Sequence, residues 1–439
     1  MENISQFPDH ILLKVLSFLP TKVAASTSVL SKRWEFLWMW LPKLDYDSRD
    51  CTKYQSYKLR AFIEFSLPLH RAPVIESLRL NFSTAPGYPK SFNALHIEKW
   101  VLIAVSRCVR ELSLEFYPLN TQPVVLPSSL YICKSLVTLE LTDNIMVVVP
   151  RVARLPSLKT LILRRVWYSD AKSLGQILSI SPLLEDLVVE RNQDNDKINP
   201  LALSVIVPSL QRLTLNIAIG SSFDGLVINT PSLKYFKVKV YRNEVYYARD
   251  SDHQYESYSY DFEEMPKLEE ADIESSYPDI NKFVRSISYV KRLSLCICVN
   301  AEEALYGEGI VFNQLQHLKL CSCYLNWSIL LVRLLKDSPN LRELHVYLKE
   351  DHTRSCLDPL VCWEDQLDCV PECLLTSLET FKWTGISGSQ EEIDLVKYIL
   401  RNACFLKTAT ILFRDKQEMM IQELSLCVPS STACQLFFG

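Results

Sequence analysis

The side chains best suited to chemistry in this 439-residue chain are its thiols and imidazoles. Two Cys-x-Cys pairs, Cys296-x-Cys298 and Cys321-x-Cys323, stand 25 residues apart. Four thiolates so grouped could hold zinc, which takes sulfur ligands in a tetrahedron. Cys321 with His345 offers another possibility, a thiol beside an imidazole base, the pairing used in nucleophilic catalysis. Beyond these the inventory is thin. The seven His are scattered, and neither Gly-x-Ser-x-Gly nor His-Glu-x-x-His occurs. Gly-x-Gly-x-x-Gly and the P-loop pattern are also absent, and Gly supplies 9 of 439 residues, about 2% against a usual ~7%. That excludes phosphate cradles built on glycine backbone.

What must position the thiols is a repeat. The chain holds 67 Leu, and Leu-x-x-Leu-x-Leu recurs, as at Leu136-Leu139-Leu141, Leu158-Leu161-Leu163 and Leu315-Leu318-Leu320. Between middle positions from Leu112 to Phe236 the steps are 27, 22, 26, 26 and 23 residues; from Ala271 to Leu344 they are 22, 25 and 26. This is the roughly 20–29-residue period of leucine-rich repeats. The alternating core predicts a short strand with one buried face, and stacked units bury a continuous core that no unit could bury alone. The spacing Ile329, Leu330, Val332, Leu334, Leu335 predicts a helix between strands. The expected fold is α/β: a solenoid with a curved parallel sheet and a helical or irregular outer side.

The register bears on the cysteines. The third position after the last Leu of each repeat takes Asn or Cys, whose side chain can bond backbone in the turn. Cys298, Cys323, Asn144 and Asn192 fall there, while Cys296 and Cys321 fall on the open face. One set then points inward and the other outward, so no metal site is expected. Cys321 and His345 are read as chance neighbours, and the chain as a non-enzyme without cofactor. The open, concave face would carry Arg164, Arg212, Lys237 and Lys239, then Glu270, Asp272 and Glu274, then Arg292, His317, Lys319, Glu343 and His345. Seven of its basic members, Arg164, Arg212, Lys237, Lys239, His317, Lys319 and His345, are the candidate target-binding residues, beside acids that could steer a complementary partner. Long steps interrupt the period, and the one after Phe236 holds a Tyr-rich insertion over 241–262.

A net charge of −4 and a pI near 6.1 give no basic stripe for nucleic acid. No apolar run is long enough to span a membrane, and Glu2, Asp9 and Lys14 spoil a signal peptide. The chain is expected to be intracellular, in nucleus or cytoplasm, with its 14 Cys reduced.

The first 45 residues leave the repeat. Asp9 opens a helix with Ile11, Leu12, Val15, Leu16 and Leu19 on its apolar side, ended by Pro20. Thr21 and Ser31 could cap two more short helices, the last carrying Trp34, Leu37, Trp38 and Leu41. Trp34 and Trp38 share one face, and Phe36 and Trp40 another. So many large apolar groups exceed what three short helices bury, which implies a partner.

The run ISQFPDHILLKVLSFLPTKVAASTSVLSKRWEFLW resembles an F-box, in the form found in plant F-box/leucine-rich-repeat proteins, through Pro8, Asp9, Ile11, Leu12, Leu16, Leu19, Pro20, Thr21, Ser28, Leu30, Ser31, Arg33, Trp34 and Trp38. Phe7 and Glu35 depart from the usual Leu and basic residue. The segment WEDQLDCVPECLLTSLETFKWTGISGSQEEIDLVKYILRNACFLKTATI is similar to the FBD domain of the same family, with Val370, Pro371, Phe381, Trp383, Gly385, Tyr398 and Leu406 among the matches. Its pattern reads strand, Gly turn, amphipathic helix, strand, and it would also cap the solenoid.

The resemblance implies a three-helix F-box over 1–45, repeats over 46–355, an FBD over 356–415 and a tail over 416–439. It implies the substrate-recognition subunit of a Skp–cullin–F-box ubiquitin ligase, joined through a Skp-type adaptor to cullin and RING subunits and holding an unidentified protein target. The adaptor contact would rest on Pro8, Ile11, Leu12, Val15, Leu16, Leu30, Trp34 and Trp38. Two other readings of the architecture are an adaptor-independent repeat scaffold and a small-molecule-sensing F-box receptor.

Overall fold

Each Leu-x-Leu core becomes a parallel strand in the computed structural model, which describes residues 4–49, 51–82, 94–116, 122–191, 202–218, 225–241, 259–275, 284–297, 309–323, 326–349, 363–364, 367–414 and 418–439. Most of the Tyr-rich insertion, Asn192 and Cys298 lie outside the described residues. The chain divides into two units, Met1–Leu210 with Gly220–Phe223, and Gln211–Ile219 with Asp224–Gly439.

In the first unit six strands follow one another in parallel: β1 Lys43–Asp47, β2 Ser77–Phe82, β3 Glu111–Phe116, β4 Thr138–Asp143, β5 Thr160–Arg164 and β6 Asp186–Arg191. In the second there are nine: β7 Arg212–Ala218, β8 Tyr235–Tyr241, β9 Glu270–Ser275, β10 Arg292–Ile297, β11 His317–Cys321, β12 Glu343–Tyr347, β13 Thr380–Ile386, β14 Thr408–Phe413 and β15 Gln435–Phe438. Equivalent repeat positions align, so Leu213, Phe236, Ala271, Leu293, Leu318, Leu344, Phe381 and Ala409 form one buried row. A fully buried Leu contributes about 1.5–3 kcal/mol, and ordering each residue's backbone costs about 1–2, so a lone repeat cannot hold itself together.

The outer side is more varied than the apolar spacing suggests. Helix Trp327–Lys336 forms as expected and buries eight of its ten residues. In the first unit, however, three short strands, Val124–Val125, Ile145–Val147 and Trp167–Tyr168, make a second parallel sheet. Asn144 behaves as the repeat register requires: it is buried, and its Nδ2 donates to the Gln122 carbonyl at 3.4 Å.

At the C-terminal end, β13, helix Gln390–Asn402 and β14 reproduce the expected strand, turn, helix and strand. Glycine is needed within β13, where its pairing with β14 shifts register between Thr384 and Ile386: Gly385 has φ +79°, and a Cβ there would lie 3.2 Å from Leu348 Cβ. The helix starts on a capping box between Ser389 and Glu392. The buried Glu392 Oε2 accepts from the amides of Ser387, Gly388 and Ser389 and from the Ser387 hydroxyl, at 2.9–3.1 Å. The expected tail is corrected. Helix Glu418–Ser425 lies within it, and β15 pairs in parallel with β14, because Leu436 continues the apolar row opposite Ala409.

The N-terminal module has α1 Asp9–Leu16 and α2 Thr21–Ser26. The third helix predicted from Ser31 is corrected to turns and a 3-10 helix, Leu37–Trp40. Bonds from residue i to i+3 join Ser31 to Trp34, Trp34 to Leu37 and Trp38 to Leu41. This tighter winding lets Trp34, Leu37, Trp38 and Leu41 all enter the core. Thr21 does not cap; its hydroxyl accepts from the Asp45 amide at 2.8 Å, tying α2 to β1. No described helix is long and apolar enough to cross a membrane.

Candidate functional site

Two surfaces are candidates for partner binding, one in each unit. The first is on the N-terminal module. With about 100° between successive residues, α1 carries two apolar stripes. Leu12 and Leu16 are fully buried against Trp34, Leu37, Trp38 and Leu41. Ile11 and Val15 are 40% and 39% exposed, and Phe7 one turn before and Phe18 after them are exposed as well. Past α2, Val29 and Leu30 are 87% and 62% exposed. An Arg33–Asp9 pair at 2.6 Å links the segment after α2 back to the start of α1.

The eight residues expected to contact an adaptor therefore divide. Pro8, Ile11, Val15 and Leu30 are exposed and available. Leu12, Leu16, Trp34 and Trp38 form the core, and as contacts they are corrected to supports. The expected split of the aromatics holds: Phe36 and Trp40 are exposed where Trp34 and Trp38 are not. Phe36 stacks under the Arg71 guanidinium, 4.7 Å from its ring centroid. Phe7, Phe18 and Val29 were missing from the sequence-derived set. Phe7 and Phe18 flank α1 just before Pro8 and just after Ser17, where large apolar residues next to the helix are legible.

The second surface is the open face of the second unit's sheet. The register lines up Lys237, Asp272, Ser294, Lys319, His345, Lys382 and Thr410 across β8 to β14. A depression of about 470 Å³ lies over this row and the one beside it, lined by Asp272, Arg292, His317, Lys319, His345 and Lys382 among others. His345 stands between Lys319 and Lys382, with its Nε2 3.1 Å from Thr384 Oγ1. Burial, then Lys382 and Lys319, push its pKa down to about 4, so it is a neutral imidazole at neutral pH. Lys319 and Lys382 are exposed.

Of the seven basic residues expected on the target surface, His317, Lys319 and His345 come together in this depression. The others are engaged locally. Lys237 binds Asp272 at 2.6 Å, Lys239 binds Glu274 at 2.7 Å, and Arg212 lies 4.7 Å above the Tyr235 ring. Arg164 belongs to the first unit, where it binds Glu140 at 2.7 Å. His317 itself is paired with Glu343 at 2.7 Å. The expected basic stretch beside an acidic one is thus corrected to a ladder of cross-strand pairs, because parallel strands about 4.8 Å apart put each cation opposite its acid. Lys382 was missed, although it stands between Phe381 and Trp383 in Leu378-Phe381-Trp383, where open-face residues fall.

The cysteine reading also needs correction. Cys296, Cys321 and Cys323 are all buried, and their sulfurs lie within 4.8 Å of one another. Cys296 and Cys321 are on the open face as the register says, but the chain curls after β11 and brings Cys323 Sγ to 3.6 Å from Cys296 Sγ. Cys321 and His345 are not directly opposite one another on their adjacent strands. Cys321 is opposite Tyr347, and His345 is opposite Lys319.

Comparison with known proteins agrees with this layout. The F-box domain profile matches residues 4–46, that of the leucine-rich repeats of FBD-associated F-box protein At5g56370 matches 97–249, and the FBD profile matches 366–411. The chain is 59% identical to F-box/LRR-repeat protein At4g15060 of Arabidopsis thaliana, over 90% of this chain and 91% of that one. It is 52% identical to F-box/FBD/LRR-repeat protein At4g00315 and 44% identical to FBD-associated F-box protein At4g10400 from the same plant, each across the full length of both chains.

Proposed function

The chain belongs to the plant F-box/FBD/leucine-rich-repeat family, and from that premise we propose that it is the substrate-recognition subunit of a Skp–cullin–F-box ubiquitin ligase. Its N-terminal module binds a Skp-type adaptor, which connects it to cullin and RING subunits. The observation that carries this reading is the division of α1 into a buried stripe, Leu12 and Leu16, and an exposed one, Ile11 and Val15. A helix that has filled its own core and still presents aliphatic and aromatic groups needs an apolar partner. The subunit performs no covalent step. It holds a target lysine near the charged conjugating enzyme and so raises effective concentration.

The target binds the open face of the second unit through an acidic segment. Lys319 and Lys382 are the cations there that flank an uncharged group, His345, and so lack a cross-strand acid at that row. Two pull-downs with the full chain test the proposal. Ile11→Asp with Val15→Asp abolishes adaptor capture and leaves the target bound. Lys319→Glu with Lys382→Glu does the reverse. Adaptor capture that survives the first pair sinks the ligase reading and favours a free scaffold.

A further inference from the structure

The three thiols gathered on β10, on β11 and just past the end of β11 have no part in either interface. We propose that Cys296, Cys321 and Cys323 form a binding site for one thiophilic closed-shell metal ion, of the class of Zn(II) or Cu(I). A tetrahedral centre with metal–sulfur bonds of ~2.3 Å places its sulfurs about 3.8 Å apart. Here one pair of sulfurs is already at 3.6 Å, and all three fall within 4.8 Å. Sub-ångström rotamer shifts complete the fit.

Backbone hydrogen bonds from Lys349 and Cys323 reach the Cys321 sulfur. Amide donors to sulfur are the outer-shell support that metal–thiolate sites use. The ammonium of Lys349 sits on Glu274, 3.0 Å away, with Lys239 on the same carboxylate at 2.7 Å. Glu274 is the strand neighbour of Cys296, so a group of two ammonium ions sharing one carboxylate adjoins the sulfurs. Tyr347 and Leu348 pack over the cluster and restrict water.

Three protein sulfurs suffice for Cu(I), which soft thiolates select. Zn(II) at the same sulfurs needs a fourth, exogenous ligand. Each thiol that ligates loses its proton to solvent, one metal–sulfur bond replaces one S–H bond, and no electron is transferred.

The test uses the full chain, reduced, stripped with a chelator and kept anaerobic. Co(II) is added as a spectroscopic probe, then displaced with Zn(II). In a separate arm Cu(I) is presented against a competing chelator. The expected result is one ion per chain in at least one arm. A sulfur-to-Co(II) charge-transfer band, abolished by Zn(II), assigns zinc; retention of Cu(I) alone assigns copper. Cys321→Ser and Cys323→Ser each weaken retention at least tenfold, while Cys404→Ser, an exposed thiol, has no effect. Because the first readout is on the unaltered chain, it stands even where a variant misfolds. A stripped chain that retains neither ion, or retention unchanged in Cys321→Ser and Cys323→Ser, overturns the site.

Discussion

Truncating the exposed stripe of α1 should cost adaptor affinity and little else, while truncating the buried stripe should cost the module. Ile11 and Val15 are 40% and 39% exposed in the free chain. Burying a whole aliphatic side chain contributes about 1.5–3 kcal/mol, so covering two-fifths of one is worth about 0.6–1.2 kcal/mol. Replacing both with Ala then removes at most about 1.2–2.4 kcal/mol of binding, a rise in Kd of roughly 7- to 50-fold. Surface changes of this kind move folding stability by only about 0.5 kcal/mol each. Leu12 and Leu16 are fully buried, and Leu→Ala in a core costs about 2–5 kcal/mol apiece. Their double variant should melt the N-terminal module before any affinity can be read. The assay is calorimetric titration of the full chain with a purified Skp-type adaptor, alongside thermal unfolding. The reasoning is refuted if the Ile11/Val15 pair leaves Kd within twofold of the parent. It is equally refuted if that pair lowers the unfolding midpoint as far as the Leu12/Leu16 pair does.

Three further outcomes follow from single residues. Glu392→Ala removes the acceptor for three backbone amides at the start of helix Gln390–Asn402 and should destabilise the chain by about 3 kcal/mol, read by urea denaturation. Gly385→Ala places a side chain at φ +79° and against Leu348, costing about 1–2 kcal/mol in the same assay; an unchanged midpoint would show that the irregularity in β13 can relax. His345 has a folded-state pKa of about 4, below the ~6.5 of an unfolded chain, so the unfolded chain takes up the proton first as pH falls. Stability is therefore full above pH ~6.5 and declines toward pH 4, and His345→Gln should flatten that slope in denaturation curves at the two ends. Some slope should remain, because burial also holds the pKa of His70 down, against the Leu41 carbonyl.

The parts of the fold legible in the sequence are those written in a fixed period. Leu139, Leu161 and Leu187 are one repeat apart and sit side by side in adjacent strands. The F-box was legible because its order of residues is specific. Which of its apolar residues face out was less so: Ile11 and Leu12 are equally apolar, and only the 100° between them, together with where Trp34 and Trp38 pack, makes one a surface and the other core. Strand alternation also correctly put Cys296 and Cys321 on the open face. It could say nothing of Cys323, because the period-two rule stops where the strand stops. Residue 323 lies two positions past β11, and its direction is set by the turn in which Ser322 donates its amide to the Tyr347 carbonyl. Lys382 went unread for a different reason: its repeat has Phe and Trp where the others have Leu.

The cross-strand pairing on the open face limits how a target can be recognised there. A segment that displaced Glu274 from Lys239 and Lys349, or Asp272 from Lys237, would have to replace hydrogen-bonded pairs that already satisfy both charges. Its net gain would be the difference between two similar contacts, and exposed pairs of this kind are worth only about 0.2–1 kcal/mol. The Lys319–His345–Lys382 row is different. Its middle group is uncharged, so two ammonium groups flank a side chain that cannot neutralise them. An incoming carboxylate there meets positive charge without first evicting another carboxylate from that row. On the proposed target face, specificity would then come from where the pairing pattern lapses rather than from the total number of basic residues. That is why a count of cations along the sequence, which weighs Arg164, Lys237 and Lys319 alike, overstates the surface available to a partner.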